Sequence, residues 1–393
     1  MRELKTDVAI IGAGPSGLLL SQLLANAGIQ SIIIERSAKD HVLARIRAGV
    51  LEWGTVETLQ EAGVAERCIA EGLAHDGFDL FFNGDRHHVD IKSHTGKQVM
   101  VYGQTEVTKD LVEKREAEGQ TIFWSIPDAA LHDLESRDPK VSFTDSDGQQ
   151  CTISANIIAG CDGFRGVSRQ SIPKDKLREF ERIYPFGWLG VLVDQPPVAD
   201  ELVYANHNDG FALASMRSHT RSRYYVQCNS GDTVDDWTLD QFWEALRNRL
   251  GPELGPKVKT GDPLEMSIAP LRSFVAEPMC FGRLFLAGDS AHIVPPTGAK
   301  GLNLAVADVR RLARAIEQWK RHHNEGGLNA YSQEALARVW KVERFSWYLS
   351  RLLHQFPEHS AFEKKMQEAE FNYVRSSEAA TMAISENYVG LPF

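Results

Sequence analysis

No pair of cysteines stands at CxxC spacing in this chain. Its five cysteines, Cys68, Cys151, Cys161, Cys228 and Cys280, are scattered and odd in number. No disulfide framework is therefore expected, and the thiols point to a reducing compartment, the cytoplasm. No apolar run reaches about 18 residues, which removes a membrane-spanning helix from the expectation. No apolar leader of signal-peptide type precedes the first strand. Positive charge is also short: 43 Lys and Arg stand against 53 Asp and Glu, a formal net charge of -10. Nucleic-acid binding needs a basic face, so nucleic acid is not expected as a partner, although a local basic pocket for a small anion stays open. Internal repeats and low-complexity tracts are missing. The adjacent pairs His87-His88 and His322-His323 make poor metal sites, because strand neighbours face opposite ways, and no metal is expected.

What is present is a chain of 393 residues with 43% hydrophobic and 24% charged residues, longer than one small core usually holds. Val8 to Ile11 is a short apolar run of the kind found in a central parallel strand. Leu18, Leu19, Leu23, Leu24 and Ala27 follow at helical spacing, Gly28 offers a stop, and Ile32 to Ile34 reads as a second buried strand. The segment FDLFFNGDRHHVDI predicts a hairpin turning at Asn83-Gly84. Ile157 to Gly160 is another buried strand, Tyr184 to Gln227 is strand-rich, Asp236 to Leu250 is helical, Phe274 to Leu286 returns to strand, and the chain after Gly301 is almost all helix. The expected fold is α/β. A discontinuous cofactor domain spans 1–180 and 270–348. A strand-rich substrate domain, 181–269, is inserted in it, with 76–101 contributing strands, and a helical region closes the chain at 349–393.

GAGPSG, Gly12 to Gly17, matches GxGxxG. Gly12 permits the tight turn, Gly14 lets backbone approach a pyrophosphate, and Gly17 lets helix pack on strand. Ser16 lies in the same turn, where the helix N-terminus offers free N–H groups to phosphates. Glu35 ends the second strand at the separation of a ribose-hydroxyl acceptor. This stretch implies a dinucleotide and leaves FAD or NAD(P) open. Two further segments bear on that choice. Asp162-Gly163 follows a strand, with Arg165 and Arg169 just beyond, and Gly288-Asp289 follows another. Each acid is either an Asx turn or an acceptor for cofactor hydroxyls. Three such segments in this order resemble the class A flavoprotein aromatic hydroxylases. In that family the first binds the ADP half of FAD, the second is shared between FAD and NADPH, and the third binds the ribityl chain.

After Asp289 come two prolines and two glycines. The prolines would hold the backbone rigid beside a flavin ring. Gly298 and Gly301 would let main-chain N–H groups approach it. The helix beginning near Leu302 would turn its positive end toward the ring. Lys300 reads either as a contributor to that field or as a solvated lysine. In the strand-rich middle, Ser215, Arg217, Arg221, Arg223, Tyr224 and Tyr225 form a cationic and hydroxyl cluster. Ser215 and Arg217 share one strand face, as do Arg223 and Tyr225. The cluster is either a carboxylate receptor or a surface strand with ordinary charges.

A dozen ordered stretches extend the resemblance over essentially the whole chain, among them YGQTEVT, AGCDGF, YPFGWLG, RSRYYVQ, GRLFLAGDSAHIVPPTGAKGLNLA and ENYVGLP. It implies an FAD monooxygenase using NADPH, or NADH, and O2, whose cofactor domain, 1–180 and 270–348, is a Rossmann-like FAD-binding domain of the three-layer glutathione-reductase type. A flavin C4a-hydroperoxide would hydroxylate 4-hydroxybenzoate at the 3-position to give 3,4-dihydroxybenzoate. It further implies that Ser215, Arg217 and Tyr225 bind the substrate carboxylate. Tyr204 and the carbonyl of Pro296 would meet the phenol, with Tyr388 behind Tyr204 and His75 linking that pair to solvent. Arg223 would position the flavin. Arg36, Arg47, Gln104, Asp289 and Asn303 would contact FAD, and Arg36, Arg45, Arg165 and Arg272 would receive the nicotinamide cofactor. A homodimer is implied by the resemblance alone.

The sequence departs from the familiar pattern at His41, where a tyrosine is usual, and at Arg165, where a histidine is usual. Basic residues there favour the 2′-phosphate of NADPH, with NADH use open. No second GxGxxG provides a separate nicotinamide domain, as is normal in that family. The alternatives are the same chemistry on another phenolic acid, an FAD-dependent reductase without oxygenase activity, or a plain NAD(P) dehydrogenase.

Overall fold

The computed structural model describes residues 2–44 and 49–392. Its first sheet is built around the strand Arg2–Ile11, which pairs in parallel with Gln150–Gly160 on one side and Ser31–Ile34 on the other. Leu284–Leu286 and Ile122–Phe123 extend it in parallel at either side. Strands in the centre of a parallel sheet are covered on both faces, which is why Val8, Ala9 and Ile10 are fully buried without alternation. The helix Pro15–Asn26 starts at Gly14 with Pro15 in its first turn, where a missing N–H costs nothing.

Gly12 joins strand to helix with φ +104°, and a Cβ there would run into the Cys161 carbonyl and Asp162 Cα. For a non-glycine residue such a conformation costs about 1–3 kcal/mol, before that contact is counted. Gly12→Ala is expected to lower the urea midpoint by the corresponding amount. An unchanged midpoint would show that the turn relaxes freely.

The second sheet runs in the order His292–Ile293, Pro263–Glu277, Arg178–Val193, Arg221–Asn229, Gly210–Ser218, Leu202–His207, Phe78–Phe82, Asp85–Val89. The last two strands form the hairpin expected at 83–84, with Asn83 at φ 48° and Gly84 at φ 93°. A two-residue hairpin of this hand needs positive φ at both positions, and Asn-Gly supplies it. One face of the sheet, carrying Leu189, Val191, Val203, Ala212, Tyr224 and Val226, packs on Phe242, Leu246 and Leu250 of the helix Leu239–Leu254. Thr238 and Gln241 cap that helix reciprocally. The other face carries the candidate site.

Two strands run through positions where the sequence places domain limits: Arg178–Val193 through 180/181 and Pro263–Glu277 through 269/270. The single strand expected over Phe274 to Leu286 is three strands, Pro263–Glu277, Cys280–Phe281 and Leu284–Leu286. Pro278 has no N–H to continue the ladder, and Gly282 at φ 56° reverses the chain. Four helices follow, Gly301–His322, Gly326–Leu353, Ala361–Ser376 and Glu378–Val389. Among the described residues no helix is long and apolar enough to cross a membrane. The fold class is the α/β arrangement that the sequence implies.

Candidate functional site

A cavity of about 710 Å³ opens between the two sheets. At one end it is lined by Gly12, Gly14, Ser16, Glu35, Arg36, Gln104, Asp162 and Arg165, and further along by Asp289, Pro296 and Leu302. The chain builds this end from local contacts. Glu35 accepts the Ala13 N–H at 2.8 Å through one carboxylate oxygen and the Ser37 N–H at 2.8 Å through the other. That fixes the carboxylate over the glycine turn and leaves each oxygen a second lone pair for a ligand hydroxyl. A Cβ on Gly14 would meet nothing within 4 Å, so the backbone at the helix N-terminus is open to the cavity. Gly17 does not line it. A Cβ there would strike the Gly12 carbonyl, so Gly17 serves helix–strand packing, as expected.

Asp162 accepts the Ser168 N–H at 2.9 Å through Oδ2, while its buried Oδ1 has no protein partner. Burial pushes its carboxyl above the usual range, so a hydroxyl donor reaching Oδ1 would relieve a real penalty. Asp289 lies in the turn Gly288–Ser290. Beneath it the Gly288 N–H donates to Asp308 Oδ2 at 3.0 Å, and the same oxygen meets His292 Nε2 at 2.6 Å. Burial opposes a charge on His292, but Asp308 outweighs it and raises its pKa. An open glycine cradle, an acid over it, an orphaned buried carboxylate oxygen and a second acid further along fit the dinucleotide and ribityl portions of FAD.

Several expected residues are placed differently. Lys300 is neither solvated nor free to act alone. It is 2% exposed, and its ammonium donates to Glu52 at 2.7 Å and to the Tyr388 carbonyl at 2.6 Å. Burial lowers its pKa, against the pull of Glu52. Gly298 faces away from the cavity, toward Ser346 of the helix Gly326–Leu353. The Asn303 side chain accepts from the Glu52 N–H at 2.9 Å and the Thr55 hydroxyl at 2.8 Å, and donates to the carbonyls of Val50 at 2.8 Å and Ala299 at 2.9 Å. Its amide is fully taken up, which leaves only backbone for a cofactor. Arg272 pairs with Glu181 at 3.1 Å and lies 4.5 Å from the Phe164 ring, beside rather than in the cavity lining. Arg45 and Arg47 lie outside the described residues.

The other end of the cavity is walled by one face of the second sheet. Register explains which side chains meet there. One row across the strands reads Leu80, Tyr204, Leu213, Tyr225, Gly190, Ser267. The next reads Ser215, Arg223, Leu192, Glu265, and on the other side lie Phe211, Gln227, Trp188 and Ala269. Residues two apart on a strand share a face, so these rows form one surface. The cavity reaches Trp188, Arg223, Tyr225, Glu265 and Ser267 directly, whereas Ser215 and Tyr204 lie further along the same face. Gly190 is required here. A Cβ would press on the Tyr225 ring and come within 3.0 Å of Arg223 Nη2.

Arg217 sits at a break in register between Met216 and Ser218. It donates to Ser215 Oγ at 2.9 Å, and its buried Nε has no protein partner. Burial lowers its pKa, and Tyr225 partly offsets this. Arg223 Nη2 donates to Glu265 at 3.1 Å and to Ser267 at 3.1 Å, its guanidinium lies 5.1 Å from the Tyr225 ring centre, and its Nε and Nη1 are buried without partners. Unmatched buried guanidinium donors are what an anion receptor offers before its ligand arrives.

Tyr204 and Tyr388 join hydroxyl to hydroxyl at 2.9 Å, both packed on the Phe78 ring. Burial pushes the Tyr204 phenol up to about 12. Tyr388 is raised further, again by burial and then by Tyr204. His75 was expected at the solvent end of this pair, titrating near neutrality. Instead it is 1% exposed, its Nε2 lies 3.0 Å from Met216 Sδ, its Nδ1 has no protein partner, and burial pushes its pKa down to about 4. The ring is neutral and enclosed, because desolvation outweighs the field of Asp200 and Asp76.

Glu52, Trp188, Glu265 and Ser267 also belong to the site, and no motif in the sequence points to them. Glu265, Ser267 and Ala269 alternate within one strand, which was a readable sign of a shared face. Nothing in sequence, however, shows which strand lies beside it.

The chain matches the family described as FAD binding domain over residues 5–346. It is 54% identical over 394 residues to p-hydroxybenzoate hydroxylase of Acinetobacter baylyi, covering 100% of this chain and 97% of that one. A rifampicin monooxygenase of Streptomyces venezuelae is 27% identical over 338 residues, 84% of this chain and 67% of that one. Among solved structures, p-nitrophenol 4-monooxygenase from Pseudomonas putida DLL-E4 superposes with a TM-score of 0.80 at 18% identity, over 100% of both chains, a likeness of fold.

Proposed function

The chain belongs to the class A flavoprotein aromatic hydroxylases, a family built on an FAD-binding domain, and from that premise we propose that it hydroxylates 4-hydroxybenzoate at the 3-position to 3,4-dihydroxybenzoate. One O2 and one NAD(P)H are consumed, and water is the second product. The observation that carries this reading is that the sheet beside the cavity bears an under-bonded guanidinium and Tyr204, whose buried hydroxyl meets that of Tyr388 from the helix Glu378–Val389. An aromatic acid with a hydroxyl opposite its carboxylate has the matching chemistry at its two ends.

When bound, FAD supplies the electrons taken from NAD(P)H and the activation of oxygen. Gly14 and the helix behind it, Glu35, Asp162 and Asp289 would hold its adenosine, phosphate and ribityl parts. The chain's own residues do the rest. Arg217, Ser215 and Tyr225 hold the substrate carboxylate. Tyr204 accepts the phenolic proton while passing its own to Tyr388, and Tyr388 gives up its own hydroxyl proton in turn, so that one proton leaves to solvent. A phenolate is far more nucleophilic at its ortho carbon than a phenol, so removing that proton makes the 3-position reactive. Phe78 packs on both tyrosine rings and keeps the pair dry, and the enclosed His75, against Met216, opens no channel to water there. Arg36 and Arg165 beside the cavity favour the 2′-phosphate of NADPH over NADH.

Two further features belong to this reading. Phe362, Met366 and Tyr373, exposed along one face of the helix Ala361–Ser376, with Trp340 and Trp347 on the preceding helix, offer an apolar surface for a homodimer. Five free cysteines accord with a cytoplasmic location.

The test is direct. The purified protein should be yellow, and 4-hydroxybenzoate should accelerate NADPH oxidation with one 3,4-dihydroxybenzoate formed per O2 consumed. A colourless protein, or oxidation without hydroxylated product, would overturn the reading.

A further inference from the structure

The helix Glu378–Val389 ends one residue after Tyr388. A last helical turn has carbonyls without intrahelical partners, and such ends open first. Yet the Tyr388 hydroxyl has to meet Tyr204 at 2.9 Å. The structure holds this end from outside the helix. Lys300 Nζ donates to the Tyr388 carbonyl at 2.6 Å. Arg338 Nη1 donates to the carbonyls of Leu391 at 2.6 Å and Pro392 at 3.0 Å. Both cations share one carboxylate: Glu52 accepts from Lys300 at 2.7 Å and from Arg338 Nη2 at 3.0 Å. Both cations also donate to peptide carbonyls of the C-terminal segment, so the shared acid and the chain end are tied together.

Gly390 completes the arrangement. Its φ is +94°, and a Cβ there would collide with the Glu52 carboxylate. The backbone thus lies directly on the shared acid, which only glycine allows. Lys300 is also the N-cap of the helix Gly301–His322, whose first turn lines the cavity. Cavity wall and tyrosine pair therefore hang on the same charges.

We propose that Arg338 is a positioning residue for the tyrosine pair: it clasps the segment 388–392 onto Glu52 and so holds Tyr388 in register with Tyr204. This rests on the proposed hydroxylation for its catalytic consequence, but not for the clasp itself. Among the described residues Arg338 neither lines the cavity nor bonds to the two tyrosine hydroxyls; it acts through Leu391, Pro392 and Glu52.

The experiment uses the full FAD-loaded chain as wild type, Arg338→Gln, Arg338→Lys and Gly390→Ala, with exposed Lys341→Gln as control. Amide hydrogen exchange of 388–392 is read by mass spectrometry, alongside 4-hydroxybenzoate turnover and product formed per NADPH oxidised. In Arg338→Gln, exchange at 388–392 is expected to rise about tenfold or more. kcat for hydroxylation should fall about tenfold or more, since misplacement of about 1 Å is costly in such a relay. KM for the substrate should stay within about twofold, because carboxylate binding is untouched. Gly390→Ala, which disturbs the clasp from the opposite side, should reproduce both changes. Arg338→Lys should recover part of them, a point charge being unable to span two carbonyls and a carboxylate.

Unchanged exchange at 388–392 in both Arg338→Gln and Gly390→Ala would overturn the clasp, whatever the activity. Increased exchange with unaltered kcat and coupling would overturn its positioning role. If wild type fails to hydroxylate 4-hydroxybenzoate, the functional reading falls, while the exchange measurements still decide the clasp.

Discussion

Tyr204→Phe should leave 4-hydroxybenzoate bound and its hydroxylation nearly abolished. The substitution removes one oxygen and leaves the ring that packs on Phe78, so the fold and the carboxylate contacts survive. What disappears is the first acceptor of the phenolic proton. Tyr204 itself, pushed up to about 12 by burial, is never a free phenolate at working pH. It works by taking a proton on its oxygen while giving its own to Tyr388, and a phenyl ring does neither. Positioned proton transfer contributes about 10²–10⁴-fold, so kcat for product formation should fall by that order while substrate affinity changes little. NADPH oxidation should continue without product. The rate should recover in part as pH approaches about 10, where a phenol ionises unaided. A rapid-quench measurement of product at several pH values decides the matter. A variant that hydroxylates at the wild-type rate would remove Tyr204 from the relay.

Arg217→Met should have the largest effect on binding. The guanidinium is buried beside Ser215, with an unpartnered Nε, and among the described residues no carboxylate hydrogen-bonds to it. Losing the cationic half of a buried charge pair costs about 2–5 kcal/mol, which is roughly 30-fold to several thousandfold in affinity. Methionine fills similar volume, so the loss reports charge rather than a cavity. FAD content should not change, because Arg217 is remote from the glycine turn. Arg217→Lys should bind with intermediate strength, keeping charge but not the planar fork. Titration of the flavin absorbance with 4-hydroxybenzoate measures all three, and affinity within about twofold of wild type in Arg217→Met would place the carboxylate elsewhere.

The two predictions draw on parts of the site that were not equally legible. Ser215, Arg217, Arg223 and Tyr225 stand out in the sequence as residue types and Tyr204 through the resemblance alone; Arg217 meets Ser215 although the register breaks beside it, and Arg223 lies against the Tyr225 ring. How those strands lie side by side was not available, so Glu265 and Ser267, which grip Arg223, were missed. His75 was read as a titrating group at the surface, and burial made it neutral. Lys300 was read as solvated or as part of the flavin's field, and it emerged as half of a buried pair with Glu52, 248 residues away in the chain. Asn303 was assigned to the cofactor, and its amide proved to tie the loop at Val50 and Glu52 to the helix Gly301–His322.

By itself, the sequence determined the dinucleotide half. The contacts of GAGPSG, Glu35 and the strand–turn–helix that carries them span a few tens of residues, and their physics is local: a positive φ, a missing Cβ, a helix N-terminus. Only the tertiary structure decided the substrate half and the charges behind it. Strand register brings residues 80, 190, 204, 213, 225 and 267 into one row, and burial then sets which of them carry charge. Neither register nor burial is a property of any stretch of chain taken alone.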